Sequence, residues 1–181
     1  MNATKNDMRM GIARRYRGFT LTEAMVTVFI AAILAAAAAP SFASMIRKIR
    51  INSISSALAF SLQQARSEAI KLNRRVLVCS KNVAGTDCAA STDWGTNGWI
   101  VCYDQNADGV CDPSTDTLPN PIRVNSKVAA ASAAITGSAA PIRFNPEGTS
   151  ATAVTVTIQG GAGETALTTI AASGLIKSSR I

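Results

Sequence analysis

The sequence predicts an α+β protein: one long N-terminal helix, apolar in its first half and amphipathic in its second, packed on an antiparallel β head. Three observations predict it. Residues 19–39 form a run of 21 with a single charge, Glu23, which as a helix is about 30 Å long and enough to cross a membrane. Ile54, Leu58, Leu62, Ala65, Ala69 and Leu72 then recur at steps of three and four, the stripe of a helix lying on a core. After Asn73 the period becomes two, in segments rich in β-branched and aromatic residues, which marks strands.

Ahead of the apolar run stand Lys5, Arg9, Arg14, Arg15 and Arg17 against Asp7 alone. That asymmetry keeps the N-terminus cytoplasmic. These 18 residues hold five of the chain's 18 basic and one of its 11 acidic residues, so without them the net charge falls from +7 to +3. A mildly basic chain is compatible with nucleic-acid contact without requiring it. The carboxylate of Glu23 is costly in a spanning segment, by about 3 kcal/mol on insertion scales, and marks a functional residue whose counter-charge has to be supplied. Basic residues, an apolar run and the small residues around Ser41-Phe42-Ala43 also sketch a secretory signal. The carboxylate at the head of the run, and a run longer than the usual ~7–15-residue signal core, count against it.

The helical pattern continues past Pro40, so one helix is expected from about residue 19 to about residue 73, kinked at the proline. Arg47-Lys48-Ile49-Arg50 follows the span on its far side and reads as a solvated or phospholipid-contacting face. The expected organisation is therefore a leader at 1–18, a transmembrane helix at 19–46, and the amphipathic half-helix plus head at 47–181.

In the head, residues 76–79, 99–103, 141–144 and 154–158 read as strands, with weaker patterns at 166–171 and 175–177. Gly160-Gly161-Ala162-Gly163 opens no helix and is a hairpin turn rather than a phosphate cradle. Residues 126–140, mostly Ala, Ser and Gly, read as a loop. The four cysteines, Cys79, Cys88, Cys102 and Cys111, all fall in the exported part, where an even number suggests disulfides with three possible pairings. Pairing Cys79 with Cys88 and Cys102 with Cys111 is preferred, because each closes a short loop flanked by strand-like residues. Zinc is disfavoured by the wide cysteine spacing and the absence of histidine.

Asp104, Asn106, Asp108 and Gly109 match the first half of a calcium loop, with Asp112 in the ninth place but Thr115 where a bidentate Glu belongs. A polar turn closed by a disulfide accounts for the same residues. No cofactor is implied. With no histidine, no nucleophile elbow and no paired carboxylates, an enzyme is not expected. Trp94 and Trp99 read as core or loop anchors rather than a stacking platform.

Gly18-Phe19-Thr20-Leu21-Thr22-Glu23, with Pro40 beyond, resembles the processing site of type IV pilin precursors. The resemblance implies cleavage between Gly18 and Phe19 by prepilin peptidase, N-methylation of Phe19, and an assembly role for Glu23 toward a subunit's N-terminal amine. The head resembles one pilin subfamily through Ala65-Arg66-Ser67-Glu68-Ala69-Ile70-Lys71 with Asn73, Trp94, Gly98-Trp99-Ile100-Val101, Asp104 to Gly109, and Phe144-Asn145-Pro146-Glu147-Gly148. That group includes the H pseudopilin of type II secretion and the FimT and FimU minor pilins. It implies a single-pass protein of a Gram-negative inner membrane with a periplasmic head. Its partners would be major and minor pilins met through the N-terminal helix, the peptidase and the inner-membrane assembly platform. Three functions follow from the likeness: minor pilin of a type IV pilus, secretion pseudopilin, or DNA receptor in uptake. For DNA, FimT-like members carry a glycine-arginine-x-arginine tail. The matching stretch here, from Gly174 through Lys177 to Arg180, lacks the first arginine and leaves Lys177 and Arg180 as candidate phosphate contacts.

Overall fold

The computed structural model describes residues 18–115, 118–128 and 133–180. The basic leader residues at 1–17 lie outside the described residues. The chain divides into two compact units, Met1–Phe42 and Ala43–Ile181, both traversed by one helix, α1, Leu21–Leu72.

In the first unit α1 starts at a cap. Thr20 accepts the Glu23 N–H on its hydroxyl at 3.3 Å and the Ala24 N–H on its carbonyl at 3.1 Å, as an N-cap residue does. The helix is long and apolar enough to span a membrane. Phe19, Met25, Phe29, Leu34 and Phe42 are all exposed, an apolar surface that this unit itself leaves uncovered. Pro40 lies inside the helix, and its missing N–H leaves the carbonyl four residues back without a helical donor.

In the second unit α1 buries Ile51, Ser55, Leu58, Ser61, Leu62, Ala65 and Ala69. The buried stripe thus begins a turn earlier than the sequence suggests and admits two serines, whose small side chains bring helix and sheet close together. Ser61 turns its hydroxyl to the carbonyl of Ala57 at 2.9 Å. The helix ends where Asn73 takes a left-handed conformation, φ 50°. Arg74 N–H then reaches back to Ala69 O at 3.1 Å, the closing bond of a Schellman turn, and the chain leaves as a strand.

Eight strands follow: β1 Val76–Ser80, β2 Trp99–Tyr103, β3 Arg123–Val124, β4 Ala134–Thr136, β5 Ile142–Phe144, β6 Val154–Gln159, β7 Thr165–Ile170 and β8 Ile176–Arg180. They form two four-stranded sheets, ordered β3-β2-β1-β5 and β4-β6-β7-β8, with every pair antiparallel. In β1 and β2 every residue is buried. One face (Val76, Val78, Trp99, Val101, Tyr103) joins the core cluster with α1; the other carries Leu77, Cys79, Ile100 and Cys102.

Two expectations need correction. The stretch 126–140 is not simply loop: Ala134–Thr136 pairs with β6, and the buried Ile135 receives the Trp94 N–H on its carbonyl at 2.9 Å. The final strand runs on to Arg180 instead of stopping at residue 177, because its polar residues sit on an edge where backbone pairing to β7 needs no apolar side chains.

Candidate functional site

The N-terminal junction places three candidate residues, Gly18, Phe19 and Glu23, at one helix start. Gly18 and Phe19 precede the helix and are exposed, and among the described residues nothing lies within 4 Å of the position a Gly18 side chain would occupy. Glu23 sits in the first turn, where a carboxylate is favoured by the unpaired N–H groups and dipole of the helix. Its Oε2 accepts from the Thr20 hydroxyl at 3.5 Å. Thr20 and Glu23 thus form the N-cap half of a capping box, the Thr20 hydroxyl accepting the Glu23 N–H. The Thr-x-x-Glu spacing at residues 20–23 is the local sequence signal of this cap.

The two disulfides join Cys79 to Cys88 and Cys102 to Cys111, and none of the cysteines is free. Cys79 and Cys102 project from the same face of neighbouring strands, and the bridges are adjacent: the sulfurs of Cys88, Cys102 and Cys111 lie within 4.8 Å of one another. Asp87 Oδ1 accepts the N–H of Cys88 at 2.6 Å and of Cys111 at 2.9 Å, fastening the two loops together over the second face of the sheet.

The calcium-like loop does not gather its ligands. Asp104 is fully buried; its Oδ2 accepts from Gly109 N–H at 3.2 Å and lies 3.7 Å from Arg143 Nε. Asp108 Oδ1 caps Val110 N–H at 2.8 Å, and Asp112 Oδ2 takes Gln105 N–H at 2.6 Å. Asn106 bonds to Asp108. Among the described residues, the carboxylates of Asp104, Asp108 and Asp112 do not converge on a common point. The cation beside Asp104 is the Arg143 guanidinium, so the calcium-like pattern is here a turn built on an ion pair.

The tail cations are separated as well. Side chains alternate along a strand, so Lys177 and Arg180, three residues apart in β8, lie on opposite faces. Arg180 pairs with Ala166 and Ser178 with Thr168, both buried, and Ser178 Oγ meets Ser55 Oγ of α1 at 2.7 Å. Arg180 therefore belongs to the face toward α1. Lys177 pairs with Thr169 and lies on the outer face.

Near the start of the second unit Arg47 donates from Nε to Glu164 Oε1 at 3.1 Å. The N–H of Glu164 itself, followed by Arg47 and the Ala162 N–H, hold this carboxyl below the usual range against some desolvation. Tyr103 donates to Glu68 Oε2 at 3.4 Å, and burial, then the Glu68 charge, pushes its phenol up.

A family model described as type II transport protein GspH matches residues 55–174. The chain belongs to the GspH family. A model of the prokaryotic N-terminal methylation motif matches residues 13–39. No curated protein is matched by the sequence. The fold is similar to two crystal structures of the type IV minor pilin FimU of Pseudomonas aeruginosa strain PAO1. The first is 21% identical with a TM-score of 0.54, covering 73% of this chain and 90% of FimU. The second is 19% identical with a TM-score of 0.52, covering 71% and 91%.

The head residues that carry the GspH-type pattern turn out to be architectural. Ala65 and Ala69 are fully buried against the sheet. A side chain on Gly98 would come within 2.2 Å of Asn125 O, and one on Gly137 within 2.5 Å of the Trp94 ring. Trp94 donates from Nε1 to Ser138 O at 3.0 Å. These residues fix a pilin-type head, and the family's structural role is assembly with other pilins.

Proposed function

We propose that the chain is a minor pilin of a type IV pilus. Prepilin peptidase cuts between Gly18 and Phe19 and methylates the new Phe19 amine. The assembly platform of the inner membrane then draws the subunit into the filament near its tip, with its N-terminal helix packed among the other pilins and Glu23 meeting the amine of a neighbouring subunit. The head faces the periplasm before assembly. The observation that carries this reading is the methylation motif over residues 13–39 ahead of a head with the FimU fold. Exposure of Gly18 and Phe19 and the cost of an unpaired Glu23 in apolar surroundings support it. Mass spectrometry of the processed protein is expected to find N-methylated Phe19 as its first residue. An N-terminus beyond Ala43 would overturn the reading. Glu23→Ala is expected to leave insertion intact and abolish incorporation into filaments.

The second reading, a pseudopilin of type II secretion, is favoured by the description of the family model itself. Deleting the gene separates the two: loss of surface pili with secretion intact fits the pilus, and the converse fits the pseudopilus. DNA capture rests on Lys177 and Arg180 alone, and their opposite orientation in β8 argues against a joint grip on one backbone.

A further inference from the structure

Arg180 and Lys48 come together at a cleft of about 230 Å³ lined also by Ile51, Asn52, Glu164 and Thr165. β8 carries Arg180 there on its helix-facing side, and the bond between Ser178 and Ser55 holds the strand against α1. Ile51, 3% exposed, forms an apolar floor. Gly160 packs against two of the lining residues: a side chain there would lie 2.8 Å from Glu164 Oε2 and 3.3 Å from Ile51. The carboxylate among the described lining residues, Glu164, is ion-paired through Oε1 to Arg47. Among the described lining residues, Lys48 and Arg180 are the charges without an ion pair, accompanied by the neutral donors Asn52 and Thr165.

The sequence places this cleft at a definite depth. Residues 24–46 carry no charge, and Lys48 follows that run by two residues, about 3 Å along a helix. A cation pair at that position meets lipid headgroups, and anionic headgroups attract basic residues held near the surface.

We propose that the cleft is a headgroup site for an anionic phospholipid, its phosphate held between Lys48 and Arg180 and its glycerol end resting on Ile51. The site steadies the head on the membrane before the subunit is drawn into a filament. This inference rests on the chain being membrane-anchored and is independent of which machine it serves.

The test is a titration of the full chain, isotope-labelled in maltoside micelles, with short-chain phosphatidylglycerol, followed by NMR. Saturable shifts are expected at residues 48–52, 164–165 and 179–180. Lys48→Ala with Arg180→Ala should weaken binding at least about tenfold, whereas Lys177→Ala, on the opposite face, should bind as before. Shifts that are absent, that do not saturate, or that persist in the double variant overturn the proposal. So does inorganic phosphate binding as tightly as the lipid, which would make this a free-anion site, or short-chain phosphatidylcholine binding as tightly, which would remove the charge argument. Incorporation into micelles is read separately from particle size, so a failure of anchoring is distinguished from a failure of the site.

Discussion

Arg66 donates its Nε–H to the carbonyl of Gly148 at 2.9 Å, joining the middle of the amphipathic helix to the turn after β5. Gly174 crowds the same carbonyl: a side chain there would lie 1.9 Å from Gly148 O and 3.0 Å from Arg66 Nε. Three residues far apart in the sequence thus share one contact, and neither glycine can take a side chain without strain, since both have positive φ, 76° and 77°.

Gly174→Ala is therefore expected to destabilise the head strongly. The left-handed backbone alone costs a non-glycine residue about 1–2 kcal/mol, and the approach to Gly148 O adds a clash with backbone that cannot rotate away. A loss of at least ~2 kcal/mol in urea unfolding is expected. Gly161→Ala, where nothing lies within 4 Å, is the control and should stay within about 0.5 kcal/mol of the parent.

Ser61 is the polar centre of the core. Its hydroxyl accepts the Trp99 indole N–H at 3.1 Å and the Asn125 amide at 3.3 Å, and Ser61 and Trp99 are both buried. Ser61→Ala leaves the indole N–H without an acceptor in a dry site, a penalty of about 1–3 kcal/mol. Thermal unfolding followed by tryptophan fluorescence should show the loss, and an unchanged midpoint would mean that the indole finds another acceptor.

Each disulfide closes a loop with a sequence separation of 9. Loop-closure entropy for so short a loop predicts that removing one, as in Cys102→Ser with Cys111→Ser, costs about 2–3 kcal/mol. Because Asp87 fastens both loops, Asp87→Ala should lower the stability of the parent and lower it less once one disulfide is already gone. A double-mutant cycle reads that coupling.

How much of this was legible in the sequence depends on whether the cause is local. The span, the stripe at Leu58, Leu62, Ala65 and Ala69, and the four strong strands were readable because hydrophobic period is a local signal. β4 was not, since an Ala/Ser-rich segment has no period, and Ile135 is fixed by Trp94 from 41 residues away. The cap at Thr20 is local too, signalled by the Thr-x-x-Glu spacing. The placement of Lys177 and Arg180 on opposite faces followed from simple alternation once β8 reached Arg180. The Asp104 loop reads both as a calcium-like pattern and as a polar turn, and spacing alone does not separate them, because Arg143, which sits beside the carboxylate, arrives on a different strand. The contact among Arg66, Gly148 and Gly174 left no trace beyond the residue types themselves.

Asp93 supplies a test by pH. The Thr96 hydroxyl, then the N–H groups of Thr96 and Gly95, hold its carboxyl below the ordinary value of 3.8; the two N–H bonds measure 3.1 and 2.8 Å. The native state thus binds its proton less readily than the unfolded chain does. The stabilisation is fully present above about pH 3.8 and is lost as pH falls through the lower native value. Asp93→Asn removes the titrating group, so it should be less stable than the parent near neutral pH. The gap should narrow steadily as acid is added below about pH 4. Urea midpoints measured for both proteins across that range check the sign: a gap that widened toward low pH would mean that the turn around Gly95 and Thr96 is held by something other than the ionised carboxylate.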